Sequence, residues 1–269
     1  MAGVLAAATA ALRAAGVPSP RGDAELLAAH VLGVERTALL TAPPAGPAQR
    51  GAYQALIARR SAREPLQHLT GIAYFRHLTL PVGPGVFIPR PETEGLVELV
   101  LPAAGPETIV ADLCAGNGAI ALAVNTEAPG TTVHAVEADA KAFCWLRRAT
   151  AGSPLKIHRA AASAWNPGVR IDVVVSNPPY LPIGRTLPPE VGHHDPAVAL
   201  WGGPDGLDTV REVVSAAARL LREGGLLAIE HDVSQQATLM SLLRRQGFAQ
   251  VSGHRDLTGR DRYVTGRRA

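Results

Sequence analysis

The chain has 269 residues, 47% of them hydrophobic, 18% charged and 4% aromatic, with a net charge of +3. So high an apolar fraction with so few charges excludes a disordered chain, and the length suffices for one large core or two smaller ones. No run of 18 uncharged apolar residues occurs, so no membrane association is expected; the two cysteines, Cys114 and Cys144, lie 30 apart, which excludes a disulfide scaffold or a cysteine zinc site and fits a cytoplasmic location.

The opening MAGVLAAATAALRAAG lacks a basic leader and carries Arg13 inside an Ala-rich pattern. It predicts a helix rather than a signal peptide. Helical spacing recurs over 4–15, 23–33 and 51–62, with prolines between. Asp23 is the expected cap and Gly33 the expected stop of the second helix. Residues 1–71 therefore predict a small helical domain without a catalytic cluster. Only Lys141 and Lys156 among the 26 basic residues are lysine, and the arginine pairs at 59, 147, 244 and 267 are scattered. No nucleic-acid patch is expected from them.

Residues 72–90 read as a β-hairpin linker. Tyr74 to Leu80 alternates, and Val82 to Ile88 follows through Gly83-Pro84-Gly85 as the expected turn. An apolar helical run, Leu96 to Leu101, opens a domain over 91–269. Strands are predicted at 108–113, 132–137, 155–159, 171–176 and 226–230, with helices at 118–126, 138–150, 207–222 and 234–246 between or after them. Such alternation predicts an α/β fold with a mainly parallel sheet. Strands at 248–255 and 261–266 are too close for a crossover and predict a hairpin that adds one antiparallel strand.

Three loops at strand ends can hold a ligand. Asp112-Leu113-Cys114-Ala115-Gly116-Asn117-Gly118 lets the backbone approach closely and precedes a helix with free N–H groups. Glu137 ends the next strand, 19 residues after Gly118, where a carboxylate can receive both hydroxyls of a ribose. This pair alone suits a nicotinamide dinucleotide as well as S-adenosylmethionine. Ser176-Asn177-Pro178-Pro179-Tyr180 follows a strand of Ile and Val. Its prolines remove backbone donors and leave acceptors. Asn177 adds another, and Tyr180 a flat face. The set suits an NH2 group on a planar carbon and has no use in hydride transfer.

With these motifs the chain resembles class I S-adenosylmethionine-dependent methyltransferases acting on planar nitrogen. Arg63 to Gly71, Gly85 to Glu94, Asn177 to Tyr180, Asp195 to Leu207 and Arg255 to Tyr263 narrow the resemblance. Over about residues 50–265 the chain looks like the protein-(glutamine-N5) methyltransferases that modify peptide chain release factors (the HemK/PrmC family). The resemblance implies a Rossmann-like seven-stranded sheet, a small helical N-terminal domain that recognises substrate, and S-adenosylmethionine as cofactor. It assigns Cys114, Ala115, Gly116, Asn117 and Gly118 to the methionine end of the cofactor, Glu137 to its ribose and Trp165 to the neighbourhood of its adenine. It further implies that Asn177 touches cofactor and substrate, that Pro178, Pro179 and Tyr180 frame the glutamine amide, and that Phe87 walls the pocket. Asn177, Pro178 and Tyr180 are the residues expected to carry catalysis.

The chain departs from the family pattern at Ala164, where an Asp usually precedes the tryptophan, and at Ala115 and Asn117, where Thr and Ser or Thr are usual. Asp232-Val233-Ser234 is also unusual. The expected substrate is the glutamine of the Gly-Gly-Gln motif of class 1 release factors, handled by a monomer. An amino-methyltransferase acting on adenine or guanine in DNA or RNA is the alternative; an NAD-dependent oxidoreductase and a non-catalytic module are weaker ones. No metal is expected: His193-His194-Asp195 reads as loop or pocket cover. Glu230-His231 reads as bordering the pocket or capping the sheet, Cys144-Trp145 as core, and Asp112 as ordering the cofactor loop.

Overall fold

The computed structural model describes residues 2–269 and contains two compact units. The first holds the residues up to Ile72 together with Leu187–His194. The second holds Ala73–Thr186 and Asp195–Ala269. The excursion at Leu187–His194 is not visible to a boundary drawn at residue 71.

The first unit contains α1 (Ala2–Ala14), α2 (Pro20–Leu32), α3 (Pro47–Ser61) and the short α4 (Leu66–Thr70). Pro20 and Pro47 sit in the first turns of their helices, where no backbone donor is needed. α2 stops at Gly33, whose φ of 66° is the left-handed cap conformation. Asp23 does not cap α2, because proline starts the helix three residues earlier. Instead Asp23 is buried and accepts from Arg60 at 2.8 Å. Arg60 also reaches Glu190 at 3.0 Å, and Arg63 takes the same carboxylate through two nitrogens at 2.7 and 2.6 Å. Burial opposes the Glu190 charge, but these two guanidinium groups overcome it and hold the carboxyl at about 2. The pairs tie the one-turn helix Pro189–Gly192 to α3 and its C-terminal turn. Leu12, Leu27 and Leu69 fill the core beneath.

In the second unit, β1 (Ile72–Phe75) and β2 (Leu78–Pro81) form the hairpin. Its turn is Arg76-His77, with Arg76 at φ 51°, and not Gly83-Pro84-Gly85. The latter is an irregular segment laid against Trp145: a Cβ on Gly83 would meet the indole at 2.6 Å, and the indole N–H donates to the Pro84 carbonyl. Trp145 is accordingly part of a small cluster with Val82, Val86 and Ile88, whereas its neighbour Cys144 is exposed and not core.

The main sheet uses β3 (Ile109–Leu113), β4 (Thr132–Glu137), β5 (Lys156–Arg159), β6 (Ile171–Ser176), β7 (Leu221–Glu230), β8 (Phe248–Arg255) and β9 (Asp261–Arg268). Their order is β5-β4-β3-β6-β7-β9-β8, parallel except for β9, which pairs antiparallel with both neighbours. It is a seven-stranded Rossmann-like sheet. Val173, Val174 and Val175 are buried because both faces of this parallel sheet are covered. The covering helices include α5 (Glu94–Val100), α6 (Ala119–Glu127), α7 (Ala140–Ala149), α8 (Asp208–Leu220) and α9 (Gln236–Arg245). α7 begins two residues later than its apolar pattern suggests, since Asp139 caps it by accepting from Lys141 and Ala142. β7 starts five residues before the predicted strand, with Gly224 at φ 73° absorbing an irregularity opposite β6. Among the described residues no helix is long and apolar enough to cross a membrane.

Candidate active site

The loop after β3 curls through three left-handed residues, Cys114 (φ 62°), Gly116 (φ 58°) and Gly118 (φ 86°). Its two glycines answer different needs. A Cβ on Gly118 would lie 2.7 Å from a Leu146 methyl, so this glycine exists for packing. A Cβ on Gly116 would meet no atom within 4 Å. The space in front of it is a cleft of about 280 Å³.

Glu137 ends β4 at this cleft. One carboxylate oxygen accepts from the Gly116 N–H at 2.8 Å, the other from the Asp139 N–H at 2.7 Å. The side chain thus fixes the glycine loop while each oxygen keeps a lone pair for a further donor. Burial raises its pKa, and the backbone donors of Asp139 and Gly116 oppose that. Asp112 lies behind, fully buried, and accepts from the Ala121 N–H at 3.1 Å. Burial pushes it up to about 8, with the nearby Glu137 charge adding to the shift. It anchors the start of α6 and does not line the cleft. Burial also raises the Cys114 thiol, so it is no thiolate nucleophile.

The loop after β6 is set from behind. The Ser176 hydroxyl donates to the Leu113 carbonyl at 2.5 Å, joining the two loops. The Asn177 amide nitrogen donates to the Thr93 hydroxyl at 3.0 Å, which leaves its oxygen as an acceptor at the cleft. No group among the described residues donates to the Pro178 carbonyl. Tyr180 turns its phenol away and donates to Glu230 at 3.0 Å. Burial lifts Glu230 to about 7, against the pull of the Thr93 and Tyr180 hydroxyls. Behind the loop, a Cβ on Gly202 would meet the Pro179 carbonyl at 2.6 Å, and one on Gly206 the Tyr180 carbonyl at 2.2 Å. Gln235 donates to that Tyr180 carbonyl at 2.9 Å. This glycine backing escapes sequence reasoning, because its role is clear only once residues 202–206 are seen against 179–180.

Of the residues proposed from sequence, Phe87, Cys114, Ala115, Gly116 and Asn117 line the cleft, as do Glu137, Asn177 and Pro179. Gly118, Trp165, Pro178 and Tyr180 do not line it. Trp165 is buried beside the His134 and His158 rings, with centroids 5.4 and 5.3 Å away. Phe87 is held from outside by Arg90, whose guanidinium carbon lies 4.9 Å from the ring centroid and which also pairs with buried Asp195 at 2.5 Å. Thr93 lines the cleft unanticipated. Glu230, the last residue of β7, and His231 after it are both buried and outside the cleft lining; Glu230 holds the Tyr180 hydroxyl. Among the described residues no cluster of metal-ligating side chains is gathered.

These features fit S-adenosylmethionine: a paired acceptor for ribose hydroxyls, a glycine open to the ligand and an apolar wall. Comparison with known proteins agrees. The PrmC N-terminal domain matches residues 3–71, and the methyltransferase small domain matches residues 84–188. The release factor glutamine methyltransferase of Mycolicibacterium smegmatis is 48% identical, over 97% of this chain and 95% of its own. That of Streptomyces coelicolor is 46% identical, over 98% and 97%. The Thermus thermophilus 16S rRNA N2 G1207 methyltransferase, solved with AdoMet and guanosine, aligns at a TM-score of 0.55 and 21% identity. It covers 74% of this chain and 50% of its own, and shares the fold.

Proposed function

The chain belongs to the release factor glutamine methyltransferases, and from that premise we propose that it methylates the side-chain amide nitrogen, N5, of the glutamine in the Gly-Gly-Gln motif of class 1 peptide chain release factors. The observation that carries the reading is the Asn177 amide held by Thr93 with its oxygen left as acceptor. When bound, S-adenosylmethionine supplies an electrophilic methyl group.

The protein's part is positioning. An amide nitrogen is a poor nucleophile because its lone pair is delocalised. Asn177 Oδ1, at the cleft, and the Pro178 carbonyl, just outside its lining and without a donor among the described residues, accept its two hydrogens and aim it. Orientation of this kind contributes roughly 7–11 kcal/mol in favourable cases. Acceptors beside the nitrogen also stabilise the positive charge that develops there. No general base is needed, since the methylated nitrogen is acidic enough to lose its proton to water. Tyr180 acts by anchoring the loop to Glu230, and Phe87 walls the pocket.

Residues 1–71 serve as the substrate-recognition domain, and the enzyme works in the cytoplasm as a monomer. Neither DNA nor RNA is its substrate: the arginines are scattered and the net charge is only +3. The test is to offer labelled S-adenosylmethionine with a class 1 release factor, with RNA and with DNA, separately. Label enters the factor alone; label on a nucleic acid instead would overturn the reading.

A further inference from the structure

The cleft has an end that the methyl-transfer chemistry does not use. β5 runs out into Ala160, Ala161 and Ala162, which line the cleft beside Glu137; the Ala160 N–H donates to the Glu137 carbonyl at 3.1 Å. Three alanines give an apolar slot with no side-chain hydrogen-bonding group. Ala164, a little further on, adds none.

A carboxylate arrives here from another element. Glu212, on the first turns of α8, lines this end of the cleft. Its Oε1 accepts from Ser163 twice, from the N–H at 3.1 Å and the hydroxyl at 2.6 Å. Arg219, two turns along α8, donates to the Ser163 and Trp165 carbonyls and holds the same loop to the helix. The carboxylate is therefore fixed in place, while Oε2 takes no donor among the described residues.

We propose that Glu212 is the specificity determinant for the purine of the cofactor: its Oε2 accepts from the exocyclic 6-amino group of adenine. The inference rests on the cofactor reading above. Asn177 occupies one end of the cleft and Glu137, the ribose acceptor, the middle. The base joined to that ribose then falls to the alanine slot. An amino group is a donor, so a fixed carboxylate selects it and disfavours a purine carrying a carbonyl there.

Calorimetric titration with S-adenosylhomocysteine and with its counterpart lacking the 6-amino group tests this. The unaltered protein binds the amino form about tenfold more tightly. Glu212→Ala loses that preference, weakening the amino form about tenfold more than the deaminated form. Glu212→Gln, which keeps an acceptor for Ser163 and turns an NH2 group toward the ligand, shows the same selective loss without unpinning the loop. Equal weakening of both ligands by Glu212→Gln, the mark of a merely structural role, would overturn the proposal, as would no weakening of either. Failure of the unaltered protein to bind S-adenosylhomocysteine would overturn the cofactor reading with it.

Discussion

The amide nitrogen of Asn177 donates to the Thr93 hydroxyl at 3.0 Å, across 84 residues of chain. This one bond decides which face of the amide meets a ligand. Thr93→Val removes the acceptor and lets the amide rotate, so turnover should fall roughly tenfold, the effect of one lost hydrogen bond. Cofactor affinity should hold, and Thr93→Ser should restore turnover. Single-turnover kinetics beside calorimetry separates the two. A Thr93→Val enzyme with normal turnover would sink the orienting role. Asn177→Ala should cost still more turnover, again with affinity nearly intact.

Glu137 serves both the glycine loop and, in the proposed function, the ribose. Glu137→Ala should weaken binding of S-adenosylhomocysteine by roughly 10- to 100-fold, the range for hydrogen bonds to a charged group. Glu137→Gln keeps one acceptor and should fall between. An unchanged dissociation constant for Glu137→Ala would remove the residue from the cofactor site.

The two glycines of the loop should separate stability from binding. Gly118→Ala places a methyl 2.7 Å from Leu146 at a φ of 86°, and overpacking of this kind costs about 1–3 kcal/mol. Gly116→Ala meets only open space, and its left-handed backbone costs roughly 1–2 kcal/mol. Its methyl should obstruct the ligand, so its loss of cofactor affinity should exceed that of Gly118→Ala. Thermal denaturation and titration of both variants check this; the reverse ranking in affinity would contradict it.

Stability should depend on pH through His134. Burial first, then the charges of His158 and Lys156, lower its pKa to about 4, whereas an unfolded histidine titrates near 6.5. The unfolded chain therefore takes up a proton that the folded chain refuses, and stability is lost as pH falls from about 6.5 toward about 4. Asp112 and Glu230, raised by burial to about 8 and about 7, act oppositely: the fold keeps protons that the unfolded chain releases as pH rises. The difference between variants isolates the histidine. The melting temperature of His134→Asn should drop less than that of the unaltered protein between pH 7 and pH 5. Parallel curves would contradict the assignment.

The sheet was legible because its strands are short β-branched runs closed by turn residues, Ile171 to Ser176 above all. The antiparallel ending followed from chain length alone, since residues 256–260 leave no room for a crossover. The loops were legible because glycines and prolines concentrate at strand ends. Side-chain direction was not. The family resemblance put the rings at 87, 165 and 180, three of only eleven aromatics, at the pocket. Phe87 lines the cleft, but Tyr180 points to Glu230 and Trp165 packs on two histidines. Spacing tells which element a residue sits on, and partners 50 residues away tell where it turns. Thr93 and Glu212 were missed for the same reason: each meets its loop through tertiary packing, without a local pattern. The hairpin turn was misplaced because Gly83-Pro84-Gly85 has turn chemistry, yet it serves the close approach of Trp145.

Methylation of a glutamine amide is read on the substrate itself. Mass spectrometry of a class 1 release factor, incubated with this protein and S-adenosylmethionine, tests it most directly. One added methyl is expected on the side-chain nitrogen of the Gly-Gly-Gln glutamine, and none on a factor with that glutamine changed to alanine. A methyl on another residue, or an alanine factor methylated equally well, would contradict it.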